Sequence, residues 1–182
     1  MPSFGRADAR LLVVGLAPGL RGANRTGRPF TGDHAGDLLY ATLKEFGFAR
    51  GEYRADPDDG LELVDCRIAN AVRCVPPQNK PLPAEMTSCR PFLASTILSM
   101  PKLVAIVALG RIAHESTLRA LDAKLAAFPF AHGAQHEVQE GARMLRLFDS
   151  YHCSRYNTNT GVLTPDMFRS VFAAVAERTG AA

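Results

Sequence analysis

Apolar and polar positions along the chain form two kinds of run in turn, and their order predicts alternating strands and helices. Leu11–Val14 is a short, unbroken apolar run, the pattern of a strand buried on both faces. A polar, glycine-rich stretch leads from Gly15 to Asp33. From Ala35 to Phe46 the residues Leu38, Leu39, Leu43 and Phe46 recur at helical spacing, and Gly47 ends the helix. Residues 49–60 are polar and rich in turn formers, which predicts a surface excursion with its acidic run solvated. Leu63–Val72 predicts a second strand whose end carries Asn70, and the four prolines of CVPPQNKPLP, Cys74–Pro83, impose an extended loop.

Pro83 opens a helix to about Met100, and Leu103–Leu109 has the unbroken apolar character of a central parallel strand. A helix over Gly110–Leu125 follows, then a hairpin over Gln135–Phe148 turning at Glu140 and Gly141. Thr164 and Pro165 cap and open a last helix to about Arg178. Alternation of this kind predicts an α/β fold, a parallel sheet covered on both faces. Ligand-facing loops are then those after the strands, at 15–33, 70–83 and 150–164.

Composition narrows this picture without redirecting it. The 182 residues, 47% hydrophobic and 21% charged, suffice for one core, so residues 1–182 are expected to form a single domain. No apolar run approaches the roughly 18 residues that span a bilayer, and Met1–Arg10 has no signal-peptide core. A soluble, cytoplasmic monomer is expected. The net charge of +3 is compatible with a polyanionic partner but too mild to demand one. Four cysteines without a secretory signal suggest reduced thiols or a metal site ahead of disulfides.

The first loop carries glycines at 15, 19, 22, 27 and 32, together with Arg21, Arg25, Arg28, Phe30 and Asp33. It fits neither G-x-G-x-x-G nor G-x-x-x-x-G-K-[ST], because Ala17 and Pro18 interrupt and no lysine is present. The ordered string Gly15–Pro18, GLAP, followed by Asn24–Asp33, NRTGRPFTGD, closely resembles motif one of the type five branch of the uracil-DNA glycosylase superfamily. His152–Asn157, HCSRYN, resembles the superfamily's H-P-S-x-x-N motif two, with Cys153 in place of proline, and Asn157–Gly161 continues it in the type five manner. Loss of the proline ring is expected to cost a little loop rigidity.

The resemblance implies a three-layer α/β/α sandwich around a four-stranded, mostly parallel sheet. It also implies flipping and hydrolytic excision of uracil, and of other deaminated bases such as hypoxanthine, from duplex DNA. Cleaving an N-glycosidic bond builds an oxocarbenium-like sugar and an anionic base, so the site needs an anion on one side and hydrogen-bond donors on the other. Asp33 and His152 fit those catalytic roles. Gly15, Ala17 and Pro18 would border the base, Phe30 would stack on it and Asn70 would pair with its edge. The absence of a polar side chain at Leu16–Pro18 follows the type five pattern and places the burden on Asp33. Arg155 and Asn157 are expected at the DNA, with Arg25, Arg28, Lys80 and Tyr156 as further contacts.

Two cysteines match further family positions. Val72–Pro81 and Cys89–Leu93 resemble the segments that supply two ligands of a 4Fe-4S cluster, here Cys74 and Cys89. The family's other pair, a C-x-x-C ahead of motif one, has no counterpart in this sequence, so little or no cluster is expected in the 182-residue polypeptide. Two alternatives stand beside the glycosylase. A silent damage-binding module would not need both Asp33 and His152. A nucleotide-dependent transferase would need a phosphate cradle and a carboxylate pair that the sequence does not offer.

Overall fold

Five strands make the central sheet, in the order β4-β1-β5-β7-β6. The computed structural model describes residues 1–181. Strands β1 (Leu11–Gly15), β4 (Cys66–Asn70), β5 (Ala105–Leu109) and β7 (Arg143–Ser150) are mutually parallel, and β6 (Gln135–Glu140) joins β7 antiparallel. Three of the four parallel strands, β1, β4 and β5, are those expected from the apolar runs, and β7 is the second arm of the predicted hairpin. The hairpin's first arm is the fifth strand, and its turn at Glu140 and Gly141 leaves β6 as a polar edge with one buried residue, Val138. A further pair, β2 (Ala49–Arg50) and β3 (Glu62–Leu63), is only two residues long on each side.

Strand side chains point alternately to the two faces, and both faces are covered. Leu11 and Val13 of β1, with Val107 and Phe148, pack on α2 (His34–Glu45) and α6 (Pro165–Thr179) through Leu39, Leu43, Phe168 and Phe172. Leu12 and Val14, with Ile106 and Leu147, pack on α3 (Pro83–Leu98) and α4 (Arg111–Ala120) through Leu93, Ile97 and Leu118. This is the α/β/α arrangement. Each predicted helix is present within a few residues of its expected bounds, except that α4 stops at Ala120. Thr164 caps α6 by accepting from Met167 N–H, as the Thr-Pro pair predicts.

Chain order runs outward from β1 to β4 and then crosses back to β5 on the other side of β1. The strand order therefore reverses at β1, and a crevice opens past its carboxyl end. Into it project the loop after β1, holding the short helix α1 (Ala23–Thr26), the end of β4, and the loop after β7, which leads into α5 (Arg155–Asn159).

The acidic excursion corrects the sequence reading. Asp59 is buried, 4% exposed, where a solvated face was expected. Its carboxylate meets the Arg28 guanidinium in a two-pronged ion pair, 2.8 Å at each prong. Arg28, expected at the DNA, is itself 5% exposed. It also donates to Thr31 Oγ1 at 2.7 Å and lies over the rings of Phe4, Tyr40 and Tyr53. Arg54 and Leu61 N–H groups complete the Asp59 carboxylate, so the pair is fully hydrogen-bonded inside the protein. Arg28 thus clamps the first loop to the 50s loop and is unavailable to a phosphate.

Candidate active site

Asp33 sits at the N-cap of α2, where an aspartate ordinarily accepts from the helix's own first N–H groups. Here the side chain makes no cap hydrogen bond and turns back across the first loop, accepting from Ala23 N–H at 3.3 Å. The glycines explain how. A methyl carbon on Gly22 would lie 2.0 Å from Asp33 Cγ, and one on Gly19 would lie 2.8 Å from Oδ1. The two glycines seat a carboxylate, a use of close backbone approach that the sequence reading had reserved for the ligand.

Phe30 and Asn70 converge beside it. Phe30 holds a left-handed backbone, φ 55°, unusual for an aromatic residue, and its carbonyl accepts from the Tyr53 hydroxyl at 3.1 Å. Asn70 ends β4 opposite Gly15 of β1. Gly15 was expected to border the base, but it does not line the cavity: it lies beneath the other two, and a side chain there would come within 2.6 Å of both Asn70 Oδ1 and the Phe30 ring. Asn70 is 8% exposed, and its Oδ1 is buried with no hydrogen-bond partner.

The loop after β7 closes the site. The His152 ring stacks toward Phe30, centroids 6.0 Å apart and planes inclined by 28°. Burial without a charged partner pulls its imidazole from an ordinary 6.5 to about 4, so the ring is neutral at physiological pH. Asn157, expected at the DNA, donates its amide to His152 O at 2.8 Å and so fixes the loop's shape. The Cys153 thiol is buried and donates to Ala35 O at 3.4 Å, tying the loop to α2 where proline could not. Burial pushes that thiol up to about 12, which leaves it inert.

Asp33, Phe30, Asn70 and His152 share one cavity of about 470 Å³, walled also by Leu16, Ala17 and Pro18, with exposed Arg155 at its edge. His34 also lines it, its Nε2 3.1 Å from Thr158 Oγ1, and bridges the first and third loops. The sequence reading passed over His34, although its place directly after Asp33 was the available signal. Arg25, Lys80 and Tyr156 are exposed.

The Uracil DNA glycosylase superfamily profile matches residues 2–176. The chain belongs to that superfamily. It is 43% identical to a type-5 uracil-DNA glycosylase of Thermus thermophilus over 180 residues, spanning 99% of this chain and 80% of that protein. It is 38% identical to one of Pyrobaculum aerophilum, over 99% of this chain and 76% of the relative. A type-4 uracil-DNA glycosylase of Sulfurisphaera tokodaii is 30% identical over 94% of this chain.

The cluster implied by this superfamily branch was tested against the cysteines. Cys89 Sγ accepts from the N–H of Arg73, next to exposed Cys74, so the two thiols share a corner. Cys66 is buried in β4 and Cys153 in the loop after β7. Among the described residues, no third cysteine, histidine or carboxylate joins Cys74 and Cys89 in a ligating group. Two thiolates do not fit the four that a 4Fe-4S cluster takes.

Proposed function

We propose that the protein flips uracil out of DNA and hydrolyses its N-glycosidic bond in this cavity. The observation that carries the proposal is the convergence of Asn70, a carboxylate, an aromatic face and a neutral imidazole on one cavity. Asn70 Oδ1 is turned onto Gly15 and unpaired in the free protein, a cost of about 1 to 3 kcal/mol that rotation of the amide toward a uracil N–H would recover in the complex. Phe30 offers a stacking face, and the Asp33 carboxylate offers negative charge where the sugar turns cationic. Neutral His152 donates one N–H toward the oxygen on which the departing base gathers charge. A ring already protonated would bind the ground state as well; a neutral donor favours the transition state more selectively.

Arg155 and Tyr156, at and near the cavity mouth, and exposed Arg25 and Lys80 are the groups we assign to the DNA backbone. Asn157 serves by holding His152. The apolar wall at Leu16–Pro18 places no hydrogen-bonding demand on the base, which supports acceptance of hypoxanthine as well as uracil. Cys74 and Cys89 form the corner at which a metal cluster would attach, given two further thiolates. No described helix is long and apolar enough to cross a membrane. Single-turnover release from duplex DNA carrying one uracil, one hypoxanthine or neither tests the reading. Release of uracil is expected; retention of every base alongside intact duplex binding would favour the silent damage-binding module.

A further inference from the structure

A second polar cluster lies on the opposite face of the sheet, away from the cavity. It joins His114 of α4, His136 of β6 and Asp149 of β7, with one ligating atom from each lying within 4.8 Å of the others. His114 Nδ1 is 2.7 Å from Asp149 Oδ1, and His136 Nε2 is 3.2 Å from Oδ2. His114 and Asp149 are 1% and 0% exposed, while the His136 side chain keeps 12% of its surface open.

The hydrogen bonds of His114 turn its Nδ1 toward the carboxylate. His114 Nε2 is 2.9 Å from Phe128 O, which only accepts, so Nε2 carries the hydrogen. Nδ1 faces a carboxylate oxygen 2.7 Å away, and a proton or a metal cation between them completes the pair. Asp149 pairs with the two histidines and with no lysine or arginine among the described residues. Phe130 stands edge-on to His114 and Phe128 to His136, closing an apolar shell round the polar atoms.

Two imidazoles and a carboxylate, one imidazole oriented through its far nitrogen by a backbone carbonyl, make a recurring zinc donor set. Zinc takes such ligands at about 2.0 to 2.2 Å, which places neighbouring ligand atoms roughly 3.3 Å apart. The two short distances run to different oxygens of Asp149, and side-chain rotation that brings one oxygen to the ion draws the three ligating atoms, all within 4.8 Å of one another, to that spacing. We propose that His114, His136 and Asp149 bind one Zn²⁺, with water from the His136 side as fourth ligand. The ion fastens α4 and both strands of the hairpin at the end of β7, three residues ahead of His152.

The test uses the full chain carrying Cys74→Ser and Cys89→Ser, so that thiolates cannot take the metal, after treatment with chelator. Zn²⁺ titrated calorimetrically is expected to bind one ion per chain and to raise the melting temperature. Co²⁺ is expected to give tetrahedral visible bands without thiolate charge transfer. His136→Gln, on a partly open edge strand, keeps the fold and weakens Zn²⁺ by at least ~100-fold, while Asp149→Asn reports the same loss from inside the core. A parent that takes up no Zn²⁺, or a His136→Gln protein that binds it equally well, would overturn the site and leave a proton-bridged histidine–aspartate pair.

Discussion

Two sets of charged and polar side chains grow from the same first loop, and they end in opposite states. Arg28 and Asp59 are buried and saturated, every prong of the guanidinium–carboxylate pair being met. Three and five residues after Phe30 and Arg28, Asp33 has given up its helix cap and faces the cavity, where Asn70 Oδ1 has no partner at all. The saturated pair builds the loop; the other set lines the cavity. The difference teaches that two neighbouring sets of similar charge can end one inside the fold and one at the cavity, although an unmet hydrogen bond alone does not mark a site, since Arg67 Nε and Arg146 Nε are buried and unpaired as well.

The largest expected effect tests the unsaturated side. Asp33→Ala should lower single-turnover uracil release by on the order of 10³-fold or more, near the upper range for a positioned catalytic group, while duplex binding persists. Its melting temperature should move little, because the carboxylate makes no cap hydrogen bond and accepts only a long one from Ala23. Release within a few-fold of the parent would remove Asp33 from the mechanism.

Arg28→Ala should show the converse. Removing the guanidinium strands a carboxylate that is held well below its usual range by the pair, so unfolding free energy should drop by about 3 to 5 kcal/mol in a denaturant titration. Release by the molecules that remain folded should stay close to the parent's at saturating DNA. A variant of parental stability would break the comparison, since it would place Arg28 with the surface arginines.

His152→Ala lies between, with release slowed on the order of 10² to 10³-fold, as for loss of one oxyanion donor. Its titration gives a separate check. The folded imidazole is depressed to about 4 and the unfolded one titrates near 6.5, so between those values the unfolded chain binds more protons. The contribution of His152 to stability is therefore full above pH 6.5 and is lost as pH falls toward 4. Imidazole resonances of His152 should show a midpoint near 4, and a midpoint at 6.5 would return the ring to solvent.

Motif order made the cavity legible in the sequence because Asn70 ends a strand, His152 follows one closely, and Asp33 closes the glycine-rich loop that follows another. Strands β1, β4 and β5 were legible from their apolar runs. Arg28 was not, because an arginine in a polar loop reads as solvated until its partner is known, and Asp59 lies 31 residues away. Local pattern carries no information about such a pairing. The roles of Gly19 and Gly22 were hidden likewise: the sequence shows that the backbone can be approached closely, and the fold shows that Asp33 is what approaches it. The two-residue strands β2 and β3 are too short to have a period.

The smallest effect sharpens the comparison most, because its two readouts should differ in sign or nearly so. Asn70 Oδ1 contributes an unpaired buried acceptor to the free protein, and the desolvation penalty of such a group is not recovered until a donor arrives. Asn70→Ala removes the penalty along with some packing against Phe30, so the melting temperature of the free protein should stay level or rise, within ~1 kcal/mol of the parent. Uracil release should nevertheless fall, and binding of duplex containing an abasic site should be unchanged, because that ligand presents no base edge to the amide. A structural asparagine would behave in the opposite way, lowering stability and leaving discrimination between uracil and an abasic site intact. Measuring melting temperature, release and abasic-site affinity on this one variant therefore separates an acceptor kept for the base from one that serves the fold.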